Sequence, residues 1–140
     1  MLDRPSFDDI YMRLARSLSA RSTCSRLQVG AVLTTLDHRK VVAIGYNGNA
    51  AGLPNQCDSD TPGACGDLHA EINAVINCDA PRSTTKILYV THAPCKMCAK
   101  AVVNLGNVVR VVYGEDYRSD EGLAILRECG IEVVPWKGLY

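Results

Sequence analysis

From Leu68 to Val134 the chain alternates helix-length with strand-length segments, and this restricts its fold more than any other feature. Leu68 to Cys78 carries Ile72, Val75 and Ile76 on one face and reads as a helix. Lys86 to Thr91 reads as a strand, Cys95 to Leu105 as a helix and Val108 to Tyr113 as a strand. Glu121 to Cys129 is a helix that Gly130 stops, and Ile131 to Val134 closes as a strand. Strands separated by helices of this length pair in parallel through right-handed crossovers. Upstream, Ser6 caps a helix whose Phe7, Ile10, Leu14 and Leu18 lie at helical spacing. Gln28 to Thr35 and Lys40 to Tyr46 are β-branched runs joined by a hairpin at Thr-Leu-Asp-His. The expected fold is a three-layer α/β/α sandwich around a five-stranded mixed sheet, one domain over residues 1–140.

Composition bounds the rest. Aromatic residues make up only 6% of the chain, so the core must be aliphatic, built from runs such as Val29 to Leu33 and Val108 to Val112. Fifteen basic residues balance fifteen acidic ones, which speaks against a partner such as a long nucleic acid. No apolar run approaches the roughly 20 residues of a membrane span, and none at the N-terminus resembles a signal peptide. Seven cysteines, an odd number, then point to reduced cytoplasmic thiols and to metal ligation.

The chemistry gathers in His69-Ala70-Glu71 and Pro94-Cys95-Lys96-Met97-Cys98. Two thiolates and an imidazole suit Zn²⁺, and three protein ligands leave a fourth position open for water. Cys95 and Cys98 share one face of a first helical turn, where free N–H groups favour thiolates. His69 and Glu71 reach one metal together only at a helix start. Two helix N-termini set side by side by adjacent parallel strands would build such a site. Glu71 is then the candidate proton shuttle for a metal-activated water. A structural zinc site would want a fourth protein ligand and have no use for Glu71.

H-x-E followed by P-C-x-x-C is the zinc deaminase signature, and both segments resemble the cytidine and deoxycytidylate deaminase superfamily. Ser22-Thr23-Cys24-Ser25-Arg26, Gly45-Tyr46-Asn47-Gly48 and Glu115-Asp116-Tyr117-Arg118, with Gly122 behind, resemble the deoxycytidylate deaminase family within it. The resemblance implies zinc-dependent hydrolysis of dCMP to dUMP and ammonia, feeding thymidylate synthesis. It implies Ser22, Arg26 and Arg118 near the phosphate, with Asn47, Ala70 and Tyr117 lining the substrate pocket. It further implies a homo-oligomer, commonly a hexamer, activated by dCTP and inhibited by dTTP with Mg²⁺. Gly45, Tyr46, Asn47, Gly48 and Gly52 match the region for that regulator.

Other readings stay open on the residues alone. The arginines could be solvated surface charges, and the glycine-rich run a plain loop. Related zinc chemistry serves tRNA adenosine, nucleoside and guanine deaminases, and a zinc-stabilised nucleotide sensor would need no catalysis. Cys24, Cys57 and Cys65 sit where some relatives hold a second zinc, but the sequence offers no obvious fourth ligand and idle thiols are commoner. Cys78 and Cys129 read as core, and His92 as a pocket-lining or backbone-capping residue.

Overall fold

The computed structural model describes residues 3–61, 64–117 and 119–140. Its elements run α1 (Phe7–Ser19), β1 (Gly30–Thr35), β2 (Val41–Tyr46), α2 (Ala70–Asn77), β3 (Lys86–His92), α3 (Lys96–Leu105), β4 (Val108–Glu115), α4 (Glu121–Glu128) and β5 (Glu132–Pro135). The sheet order is β2-β1-β3-β4-β5. β1 is antiparallel to both β2 and β3, while β3, β4 and β5 are parallel. The expected three-layer mixed sheet is therefore present. The strands leading to α2 and α3 are not adjacent, however, because β1 lies between β2 and β3.

Local chemistry sets the ends of these elements. The Asp9 N–H donates to Ser6 Oγ at 3.0 Å, capping α1, and Asp8 and Asp9 complement the helix dipole in its first turn. In the β1–β2 turn, Asp37 Oδ1 accepts from the Thr35 hydroxyl at 2.6 Å and the Arg39 N–H at 3.1 Å.

Strand side chains alternate between two cores. Ala31, Leu33, Leu88, Val90 and Val111 face Ala74, Ala99, Val102, Leu123 and Leu126 of α2, α3 and α4. Val32, Ile87, Tyr89 and Val112 face Met12 and Ala15 of α1. The buried stripe of α1 is Met12, Ala15 and Ser19, whereas Phe7 and Ile10 are exposed. The expected helix face holds for Leu14 and Leu18, which pack half-buried on this core, but not for Phe7 and Ile10; Ala15 and Ser19 let α1 lie close to the sheet, and Asp8 adds a polar anchor. Arg110 Nη1 and Nη2 donate to the two Asp8 oxygens at 2.8 and 2.7 Å, and the Tyr89 hydroxyl donates to Asp8 at 2.8 Å. Cys78 is half-buried against the larger core, but Cys129 is exposed at the end of α4, outside the core expected for it.

Candidate active site

His69 and Cys95 are the residues immediately before α2 and α3, both with extended backbone (φ −69°, ψ 155° and φ −71°, ψ 171°). Each can therefore turn its side chain across the open end of its helix. Cys98, in the first turn of α3, is buried. His69 Nδ1 lies 3.2 Å from Cys98 Sγ and 3.5 Å from Cys95 Sγ. A tetrahedral zinc with bonds of about 2.0–2.3 Å spaces its ligands by roughly this much. The three donors thus fit a zinc ion with one position left for solvent.

The electrostatics of the three groups are coupled. Cys95 is pulled down to about 4, chiefly by its hydrogen bond with Cys98 and then by His69, against burial. Cys98 is raised by the same bond and by burial, while the Cys95 hydrogen bond raises His69. These interactions favour the thiolate form of Cys95, the form that ligates zinc. Glu71 is 5% exposed, and burial pushes its carboxyl up to about 7. A carboxyl so placed takes up and releases protons near neutrality.

Two cavities meet at this centre. The inner one, about 120 Å³, is lined by Leu27, Val29, Asn47, Ala70, Glu71 and Tyr117 among others. The outer cleft, about 660 Å³, includes Arg26, Asp67, His92, Glu115, Asp116 and Tyr117. Both open beyond the carboxyl ends of β3 and β4, where α/β sheets place their ligands.

Asn47 Oδ1 accepts the Val29 N–H at 2.8 Å and its Nδ2 donates to the Leu27 carbonyl at 2.7 Å. One donor and one lone pair of the amide are thus spent on holding the pocket wall. Ser22 is buried outside both linings, and its hydroxyl accepts the Cys24 N–H at 3.2 Å. Arg26 reaches the outer cleft, but its guanidinium donates to the Thr61 carbonyl at 2.9 Å and to that of Asp60. Arg118 lies outside the described residues.

Gly45, Tyr46 and Gly48 line a separate cavity of about 420 Å³ with Thr23, Asn49 and Asn73. Asn47 and Gly52 do not line it. A Cβ at Gly45 would sit 2.2 Å from the Ala70 carbonyl oxygen, so the close approach of α2 to β2 is enough to require glycine there. Thr23 Oγ1 is buried with no hydrogen-bond partner among the described residues.

A second donor cluster comes from the long loop. Cys24, Cys57, Cys65 and Asp67 bring their ligand atoms within 4.8 Å of one another. Cys57 Sγ lies 2.7 Å from Cys65 Sγ, 3.6 Å from Cys24 Sγ and 3.9 Å from Asp67 Oδ2. Asp67 Oδ1 is buried without a hydrogen-bond partner among the described residues. Asp67, two residues before His69, is thus a candidate fourth donor that the sequence did not reveal. Its only sequence signal was a carboxylate close to a cysteine. Glu115 and Leu27 were likewise missed as lining residues.

A three-layer α/β/α domain that presents one imidazole, two thiols and a buried glutamate at two helix starts has the architecture of a zinc deaminase domain. Residues 5–115 match the cytidine and deoxycytidylate deaminase zinc-binding region, and the chain belongs to that family. It is 35% identical to ComE operon protein 2 of Bacillus subtilis, over 84% of this chain and 64% of that protein. It is 33% identical to the deoxycytidylate deaminase of Mycobacterium phage D29, over 82% of this chain and 99% of that one. The crystal structure of the cyanophage S-TIM5 dCMP deaminase with dCMP and dUMP superposes with a TM-score of 0.84. That match is 30% identical and covers 96% of this chain and 100% of that one. This chain thus spans about two thirds of the length of its Bacillus relative. Among the described residues, no helix is long and apolar enough to cross a membrane.

Proposed function

We propose that this protein is a hydrolytic deaminase that converts dCMP and water to dUMP and ammonia, a step that feeds thymidylate synthesis. The observation that carries the reading is the convergence of His69, Cys95 and Cys98 beside buried Glu71 at a cavity with room for a single ring. The full-length likeness to enzymes named for dCMP supports the choice of substrate.

His69, Cys95 and Cys98 would hold the zinc, which when bound supplies the Lewis acidity that activates a water molecule. Glu71 takes the proton of that water, delivers it to ring N3, and then helps protonate the departing amine. Its carboxyl, raised to about 7, is suited to both directions of transfer at neutral pH. Leu27 and Val29 give the ring an apolar wall, and Asn47 pins that wall to the end of β2. Tyr117, shared by both cavities, covers the sugar or the ring. Arg26 and Arg118 are proposed for the phosphate side. Ser22, turned to the Cys24 N–H, serves by shaping the loop rather than by touching substrate.

A second zinc on Cys24, Cys57, Cys65 and Asp67 would tie down the loop that walls the cleft. Such thiol-rich sites suit the reducing cytoplasm. Regulation by dCTP and dTTP with Mg²⁺, in a hexamer, belongs to the same proposal. It is supported by the separate cavity at Tyr46 and Gly48 and the unpartnered Thr23 hydroxyl there.

Ammonia release from zinc-loaded protein tests the assignment, with dCMP, deoxycytidine, CMP, dCTP, guanine and an adenosine-containing tRNA stem-loop as substrates. Preferred turnover of dCMP is expected. Turnover of RNA or of unphosphorylated compounds alone would replace the substrate while keeping the metal centre. Zinc bound without turnover of any of them would favour a sensor.

A further inference from the structure

The inner cavity and the outer cleft share Leu27, Cys65, Asp67, His69, His92 and Tyr117. A nucleotide with its base at the metal centre must pass its sugar and phosphate through this throat. His69 belongs to the metal centre, which leaves His92 as the other side-chain nitrogen at the throat among the described residues. Its ring is held from both ends. The Gly30 N–H donates to Thr91 Oγ1 at 3.1 Å, and that hydroxyl lies 2.9 Å from His92 Nδ1. On the far side, His92 Nε2 lies 3.1 Å from Glu115 Oε2. A carboxylate only accepts, so Nε2 carries the proton. Burial holds the ring below the ordinary imidazole range, and in the neutral form Nδ1 accepts from Thr91.

The two partners differ in exposure. The His92 side chain is 15% exposed and bonded at both ring nitrogens, whereas Glu115 is 60% exposed at the cleft edge. Glu115 presents to His92 the same kind of anionic oxygen that a nucleotide phosphate would present. The cleft also holds the carboxylates of Asp67 and Asp116, and the Arg26 guanidinium proposed for the phosphate side is shared with loop carbonyls. An entering phosphate dianion therefore gains from a further donor and from the departure of a carboxylate.

We propose that His92 positions the substrate by donating Nε2–H to the 5′-phosphate, and that Glu115 is the internal anion this phosphate displaces. The proposal rests on the dCMP reading. The exchange swaps one charged acceptor for another and lets the exposed Glu115 side chain return to water. An unphosphorylated nucleoside leaves the His92–Glu115 pair intact and gains nothing from it. The pair thus favours phosphorylated over free nucleosides.

Steady-state kinetics of zinc-loaded His92→Leu, His92→Gln and Glu115→Gln on dCMP and deoxycytidine test this. His92→Leu is expected to lower the dCMP-over-deoxycytidine selectivity in kcat/KM about tenfold, mainly through the KM for dCMP. His92→Gln, which keeps an N–H donor, should recover part of it. Glu115→Gln should act in the opposite direction and lower the KM for dCMP several-fold. Because Glu115 is exposed, that variant carries the test even if a His92 variant fails to fold. Equal losses on both substrates, or a raised dCMP KM in Glu115→Gln, would overturn the proposal while leaving the substrate assignment standing. A wild-type protein that deaminates only unphosphorylated compounds would overturn both.

Discussion

Gly122, at the start of α4, lies against the Pro94 carbonyl, and a Cβ there would come within 2.0 Å of that oxygen. The same Cβ would sit 2.9 Å from the Cys95 carbonyl carbon. The helix thus packs directly on the backbone that carries Cys95, a proposed metal ligand. Gly122→Ala is expected to push this turn away from His69, costing about 1–3 kcal/mol as overpacking does. The check is zinc retention against a chelator together with a thermal melt. Unchanged zinc affinity would mean that the turn yields without moving Cys95.

Glu71→Gln retains volume but cannot carry a proton between water and ring. The variant should bind zinc as the wild type does and lose about 10²–10⁴-fold in turnover. Metal analysis alongside the ammonia assay separates the two. Activity within a few-fold of wild type would remove Glu71 from the proton path.

Two zinc ions per chain are expected on metal analysis, because each of two donor clusters brings its ligand atoms within 4.8 Å of one another. Cys57→Ser should lose one of them and keep the ion at His69, Cys95 and Cys98. Its thermal midpoint should fall, since the loop from Asn47 to Asp67 loses its tie. One zinc in both wild type and variant would return these thiols to an idle role.

The Asp8 carboxyl is held below the usual carboxylate range, first by the hydrogen bonds from Arg110 and against the effect of burial. A carboxyl depressed on folding contributes stability that is present above its unfolded value of about 4 and is lost as pH falls through the native value. Asp8→Asn should therefore cost about 1–2 kcal/mol at pH 7, reduced by the solvent the pair still meets. The gap from wild type in urea midpoint should close as the medium is acidified below pH 4. A gap independent of pH would assign the loss to packing alone.

The metal centre was legible because its residues depend on local geometry: a thiol pair three apart in a first turn, and a histidine two before a glutamate. The strands were legible for the same reason, as their β-branched runs have few alternatives. Asp67 was not, because its meeting with Cys24 depends on how a long loop folds back. Of the α1 face, Leu14 and Leu18 were legible and pack half-buried on the core, whereas Phe7 and Ile10 are exposed and Met12, Ala15 and Ser19 form the buried stripe. The insertion of β1 between β2 and β3 was hidden too, since the β-α alternation is the same whether β1 pairs on one side or both. Ser22 and Arg26 were assigned by resemblance, and their nearest partners are loop backbone atoms that no pattern of residue types records.

With β1 wedged between β2 and β3, the histidine and the thiols come from helices whose preceding strands lie two positions apart, and α2 and α3 close over the face of β1 to meet. Displacing β1 would therefore change the spacing of His69 from Cys95 and Cys98.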